Sequence, residues 1–171
     1  MVLEILKITI PGLIVFFTAY FVLKQVLKKE TDMRKAEIVL QNKRIITPIR
    51  LQAYERIILF LERISPNSVI IRLQTPNMTV QQLHKEMLIL IRSEFEHNLS
   101  QQLYLSIDAW EMVRNAKEKT IQLVHLCLED IDSNANALKL SQAIFEKLIE
   151  IETSPTQEAI NFLKKEIGVL Y

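Results

Sequence analysis

The sequence predicts a mainly α-helical protein, in which one N-terminal transmembrane helix continues into a juxtamembrane helix and is followed by a four- to five-helix bundle. Three observations predict this architecture: an uncharged apolar run near the N-terminus, a basic stretch directly after it, and apolar residues at helical period in the rest of the chain. We therefore expect three parts. They are a transmembrane anchor at 1–23, a basic juxtamembrane helix at 24–46 and a helical cytoplasmic domain at 47–171.

The predicted anchor rests on residues 8–23, which carry no charged side chain. Sixteen helical residues rise about 24 Å, and Lys7 and Lys24 can snorkel to cover the rest of a hydrocarbon core of roughly 30 Å. A cleaved signal peptide is disfavoured because the chain has no basic start and no small-residue cleavage site. The basic excess after the apolar run predicts that this side is cytoplasmic. We expect a single-pass protein of the cytoplasmic (inner) membrane with its N-terminus outside.

The basic stretch at 24–44 holds seven basic and three acidic residues. The cations expected to face lipid are Lys24, Lys28, Lys29, Arg34 and Lys35. Because each cation near an anionic surface contributes about 1 kcal/mol, sensing of anionic lipid through this stretch is one alternative function. Val26, Met33 and Leu40 are seven residues apart and weakly indicate a dimer seam, which Lys29 and Ala36 interrupt.

Four Ser-Pro or Thr-Pro dipeptides lie between the apolar stripes of the predicted helical domain. Such pairs are typical of helix N-termini, because the side chain caps free N–H groups and proline fits the first helical position. The pairs are Thr47-Pro48, Ser65-Pro66, Thr75-Pro76 and Ser154-Pro155. We expect most of them to begin helices, with capping boxes at 79–82 and 154–157. Two short apolar runs, 69–73 and 103–107, leave open either a small β-ladder or a short helix with an extended linker.

Composition argues against several classes of function. Only two glycines, Gly12 and Gly168, are present, so no glycine-rich phosphate loop can be built and no nucleotide is expected. Residues 45–171 hold thirteen basic and sixteen acidic side chains, a net charge of −3, which gives nucleic acid no basic stripe. The single cysteine, Cys127, cannot form an internal disulfide.

One pair of residues has the spacing of a metal site. Glu94 and His97 are three residues apart and share a helix face, as in bundles that bind iron or manganese. Such sites need the pair twice, and neither His84 nor His125 has a glutamate three residues before it. We therefore expect no metal, no cofactor and no catalytic residue. A membrane-tethered metalloenzyme using Glu94 and His97 is kept as an alternative.

The segments LQAYERIILFLERI (51–64) and EFEHNLSQQLY (94–104) resemble an uncharacterised bacterial family of short proteins with one N-terminal span and a helical cytoplasmic domain. The resemblance covers nearly the whole chain and implies a bacterial inner membrane, but no activity. The faces of these segments opposite their apolar stripes are polar, and we expect a partner surface there. Its residues are Glu55, Arg56, Glu96, Asn98 and Gln101. An internal polar network would give the same pattern.

These observations favour a non-enzymatic accessory or scaffold subunit. An anchor would concentrate its helical domain at the cytoplasmic face of the membrane. The expected partners are the lipid bilayer and either a membrane protein or a second copy of the chain.

Overall fold

The computed structural model describes the backbone of residues 2–170 and the side chains of residues 12–169. Within these residues a short 3₁₀ helix, Leu99–Leu103, lies between the third and fourth of six α-helices. The α-helices are α1 (Val2–Arg63), α2 (Pro66–Leu73), α3 (Val80–Asn98), α4 (Ile107–Leu126), α5 (Leu138–Glu150) and α6 (Pro155–Leu170). The chain divides into two compact units, which we call the N-terminal unit (Met1–Thr47) and the C-terminal unit (Pro48–Tyr171).

The predicted transmembrane anchor is wrong, because no helix among the described residues is long and apolar enough to cross a membrane. Lys7 and the other residues of 1–11 lie outside the described side chains. The single-pass topology, the outward N-terminus and the inner-membrane location are overturned by the same finding.

Of the two alternatives left open for the short apolar runs, the β-ladder is not formed. Residues 69–73 belong to α2, and residues 103–107 form the end of the 3₁₀ helix, a turn and the start of α4. Segments of five mostly apolar residues fit a helix as well as a strand, and tertiary packing decides between them. The one β-type pairing in the described part of the chain is an isolated bridge between Thr79 and Asn136.

Two of the four hydroxyl–proline pairs begin helices: Pro66 and Pro155 are the first residues of α2 and α6. The Ser154 Oγ accepts from the Gln157 N–H at 3.3 Å, whereas the Ser65 side chain caps no N–H group of α2. Thr79 caps α3 in the predicted capping box: its Oγ1 accepts from the Gln82 N–H at 3.2 Å, and the Gln82 Oε1 accepts from the Thr79 N–H at 3.0 Å. The prediction fails at Thr47-Pro48, which lies inside α1, because a helix can continue through proline at the cost of one backbone hydrogen bond.

Apolar stripes from α1, α3, α4, α5 and α6 meet in the core of the C-terminal unit, as the helical periodicity predicts. The largest fully buried side chains are Tyr54, Ile57, Phe60, Leu61, Ile64, Leu83, Met87, Ile91, Leu140, Ile144, Ile160 and Leu163. Beside this core the Phe95 ring lies between two other aromatic rings, with its centroid 5.9 Å from that of Phe60 and 5.5 Å from that of Trp110. These contacts hold α1, α3 and α4 together, and they fix the spacing of the cleft described next.

Candidate functional site

A partly polar cleft of about 510 Å³ lies between α1 and α3 in the C-terminal unit. We call it the α1–α3 cleft. Helical geometry brings its residues together, because side chains three, four and seven positions apart share one face of a helix. The lining residues are Arg56, Leu59, Phe60 and Arg63 of α1, and Ser93, Glu94, His97 and Asn98 of α3.

Glu94 is the buried centre of an ion-pair cluster beside this cleft. Its Oε1 lies 2.9 Å from the Arg63 Nη2 and 3.4 Å from the Arg72 Nη2. Glu94 is only 8% exposed, and a carboxylate that far from water needs such cationic partners. The two guanidinium groups come from α1 and α2, so this one carboxylate joins three helices.

Arg56 is held in place through a second buried polar residue. The Arg56 Nε donates to the Asn98 Oδ1 at 3.0 Å, and the Asn98 Nδ2 donates to the Glu94 carbonyl oxygen at 2.7 Å. Asn98 is 6% exposed, so its amide is fixed by packing as well as by these bonds. The Arg56 guanidinium therefore has a set orientation, although the residue itself is exposed.

The arrangement combines fixed positive charge with exposed apolar surface. Two guanidinium groups pair with one buried carboxylate, and a third is oriented by Asn98. Leu59, which is 56% exposed, lines the same cleft. Arginine donates hydrogen bonds but does not exchange its proton near neutral pH, so it cannot act as a general base. Fixed cations next to exposed apolar surface are typical of protein interfaces.

Glu94 and His97 both line the cleft, as expected of residues three positions apart on one helix. The Glu94 Oε1 is already engaged by two guanidinium groups. Within the described residues no group of three or more His, Cys, Asp or Glu side chains could hold a metal ion. The metalloenzyme alternative thus finds no support in this part of the chain, and the expectation of a non-enzyme stays a prediction.

The structure brings together two of the five residues predicted for a partner surface. Arg56 and Asn98 form the hydrogen bond described above. Glu55 and Glu96 are exposed outside the cleft lining, and the half-buried Gln101 donates from Nε2 to the Ser100 Oγ at 3.3 Å. Whether these five residues contact a partner stays a prediction.

Sequence reasoning missed Arg63 and Arg72. Arg63 follows Arg56 by seven residues, which is two helical turns, so the periodicity of α1 could have placed it on the same face. Arg72 carries no such signal, because its approach to Glu94 depends on how α2 packs against α3.

The predicted lipid-facing cations of the N-terminal unit, Lys24, Lys28, Lys29, Arg34 and Lys35, are all exposed on α1. Arg34 pairs with Glu30 at 3.0 Å, and the Lys24 Nζ lies 6.0 Å from the centroid of the Tyr20 ring. Exposure alone does not distinguish a lipid contact from an ordinary hydrated surface, so lipid contact stays a prediction.

Two further polar pairs occur in the C-terminal unit. The Tyr54 hydroxyl and the Glu166 Oε2 are buried and have no hydrogen-bond partner among the described residues. Burial, and then the nearby Glu166 charge, raise the pKa of Tyr54. Because both atoms are closed to solvent, this pair is not a docking surface.

His84 of α3 and His125 of α4 form the other pair, with the Nε2 of His84 3.2 Å from the Nδ1 of His125. Burial, and then the neighbouring His125, lower the pKa of His84. The neutral His84 ring is therefore favoured in this contact between α3 and α4.

Comparison with known proteins identifies a family but no relative of known function. No curated protein and no solved structure matches the chain. The model of a family of unknown function (DUF7935) matches residues 1–170, which is nearly the whole chain. The chain belongs to this family of unknown function.

Proposed function

We propose that this chain is a non-enzymatic accessory or scaffold protein whose C-terminal unit binds a partner protein through the α1–α3 cleft. The bacterial origin implied by the sequence resemblance is part of the same proposal. The observation that carries the proposal is the position of Leu59, which is 56% exposed in a concave site between Arg56 and Arg63. Arginine is enriched among the residues that dominate binding at interfaces, and the exposed Leu59 side chain adds apolar surface that a partner can cover.

Rigidity of the cleft supports this proposal. Its residues stand on α1 and α3, whose opposite faces are buried in the core through Ile57, Leu61, Met87 and Ile91. A site built on packed helices loses little conformational entropy when a partner binds, so more of the contact energy becomes affinity. Binding through the cleft therefore requires little rearrangement of the C-terminal unit.

A second cleft, of about 560 Å³ between α2 and α5, is one competitor within the C-terminal unit. Ile71, Leu138 and Phe145 give it exposed apolar surface, but no charged residue lines it. The α1–α3 cleft offers both apolar contact and oriented charge, and charge complementarity is what gives an interface its specificity. For this reason we assign the partner to the α1–α3 cleft.

Affinity purification of the full-length chain tests the proposal. Tagged wild type, Leu59→Asp and the control Ile149→Asp are expressed in native cells, and co-purifying proteins are quantified by mass spectrometry. Ile149 is 83% exposed on α5 and lies outside the cleft. Ile149→Asp therefore replaces an exposed aliphatic side chain with a carboxylate, as Leu59→Asp does, but at a position away from the site. We expect one protein to be lost with Leu59→Asp and retained with Ile149→Asp.

Circular dichroism of both variants checks that their helix content is unchanged. Reciprocal purification with the tag on the candidate protein must recover the wild-type chain. The proposal fails if no protein is enriched, or if Leu59→Asp retains every protein that wild type binds.

A further inference from the structure

We infer that the α1–α3 cleft recognises a carboxylate side chain next to an apolar residue, so that the partner presents an acidic segment containing such a pair. This inference rests on the proposed function and names the chemistry of the partner. Three observations support it: the cleft is basic although the C-terminal unit is acidic, the Arg56 guanidinium group is oriented, and the exposed Leu59 lies beside that group.

The cleft and its margin are basic although the C-terminal unit is acidic. Arg56, Arg63 and Arg72 carry three positive charges against the one negative charge of Glu94. Residues 48–171 as a whole carry thirteen basic and sixteen acidic side chains, a net charge of −3. An acidic segment is repelled by most of this unit and attracted at the cleft, which restricts where it can dock.

The orientation of Arg56 fits a carboxylate. Its Nε is used by Asn98, which leaves the two terminal nitrogens, Nη1 and Nη2. Neither nitrogen has a hydrogen bond or ion pair with any residue whose side chain the structure describes. Two parallel N–H groups of a guanidinium group match the two oxygens of a carboxylate, and such a bidentate pair is among the strongest polar contacts in proteins.

The pairing of Glu94 with Arg63 and Arg72 is the observation that favours a carboxylate as the ligand, because guanidinium groups of this cluster already bind one. The net positive charge of the cleft and its margin attracts a phosphate group as well. A phosphate-bearing peptide is therefore included in the test as the comparison that separates the two ligands.

Leu59 supplies the second half of the recognition. It lies three residues after Arg56, on the same face of α1, and is 56% exposed. An apolar residue of the partner that covers Leu59 would exclude water from the neighbouring ion pair, which strengthens that pair. We therefore expect neither the charge nor the apolar contact to be sufficient alone.

Fluorescence anisotropy with the full-length chain tests this inference. The probe is a fluorescein-labelled, end-capped peptide of alternating glutamate and leucine, at about 0.15 M salt. Two comparison peptides replace every glutamate with glutamine or with phosphoserine. We expect the glutamate peptide to bind at least about tenfold more tightly than the glutamine peptide, because glutamine lacks the charge that pairs with Arg56.

Arg56→Gln is the test variant, and Arg92→Gln is the matched control. Arg92 is exposed on α3 outside the cleft lining. We expect Arg56→Gln to weaken binding of the glutamate peptide roughly tenfold and Arg92→Gln to leave it unchanged. Amide chemical shifts of the ¹⁵N-labelled chain should change at 56–63 and 93–98 when the unlabelled peptide is added.

Four results would overturn the inference: no binding of the glutamate peptide, equal binding of the glutamine peptide, equal weakening by Arg92→Gln, or tighter binding of the phosphoserine peptide. The last result would assign the cleft to phosphate instead. A partner whose co-purification depends on Leu59 but not on Arg56 would also refute the carboxylate inference and leave the proposed function standing.

Discussion

The N-terminal and C-terminal units are both helical, but among the described side chains only those of the C-terminal unit form a core. In the N-terminal unit, every side chain described from residue 12 to residue 46 is exposed, including Phe16, Phe21 and Leu27. In the C-terminal unit, the helices bury continuous apolar stripes. The backbone conformation is therefore the same in the two units, while the source of its stability differs.

Periodicity explains this difference. Apolar residues of α1 within 12–23 point in all directions, so no single packing partner could cover them. In α3, by contrast, Leu83, Met87 and Ile91 recur every four residues and all are 0% exposed. A helix with one apolar stripe can pack in a bundle, and burial then contributes what helix propensity alone does not.

Truncation of one apolar side chain in each unit should give the largest difference. Ile57 is 0% exposed in the core, whereas Leu23 is 61% exposed in the N-terminal unit. We expect Ile57→Ala to lower the free energy of unfolding by about 3 kcal/mol and Leu23→Ala to change it by less than about 0.5 kcal/mol. Urea denaturation followed by circular dichroism and by Trp110 fluorescence measures both. A large effect of Leu23→Ala would show that the N-terminal unit buries this residue in solution.

Ion pairs allow a second comparison of the two units, with a smaller expected effect. Glu94→Gln leaves Arg63 and Arg72 without their charged partner, whereas Glu30→Gln removes only the exposed pair with Arg34. Because the Arg63 and Arg72 side chains are 57% and 38% exposed, solvent screens part of the first loss.

We expect Glu94→Gln to destabilise the chain by about 1–2 kcal/mol and Glu30→Gln by no more than about 0.5 kcal/mol. The shift of the urea midpoint at unchanged slope measures each loss. Equal shifts for the two variants would mean that the buried carboxylate contributes no more than a surface ion pair.

The smallest expected effect is a dependence of stability on pH in the C-terminal unit. His84 has a pKa below its ordinary value of 6.5 in the folded chain, so the unfolded chain takes up this proton at a higher pH. The neutral His84 ring therefore contributes its full stabilisation above about pH 6.5. This contribution is lost as the pH falls towards the lowered pKa of His84 in the folded chain. We expect the urea midpoint to fall slightly between about pH 7.5 and 5.5, a range that lies above most carboxylate titrations.

His84→Gln should flatten this part of the pH profile. Residues 1–47 contain no histidine, so the N-terminal unit adds no histidine titration of its own. An unchanged slope in the variant would assign the pH dependence to another group.

Sequence patterns predicted local features of this protein well. Ser65-Pro66, Thr79 and Ser154-Pro155 were correctly interpreted as helix starts, because capping depends on residues within one turn. Thr47-Pro48 was wrongly interpreted as a helix start, because a threonine followed by proline can also lie inside a continuous helix. The apolar run at 8–23 was interpreted as a membrane span, which the described helices do not support. Local composition gives hydrophobicity, but it does not by itself give the surroundings of a helix.

The sequence alone determined that the C-terminal unit is helical and which side chains form its apolar stripes, because both follow from periods of a few residues. Only the tertiary structure decided that Arg63 and Arg72 meet Glu94, which is 31 and 22 residues further along the chain. It likewise paired Arg56 with Asn98 across two helices. The physical reason is that helix packing sets contacts between distant residues, and no local spacing encodes them.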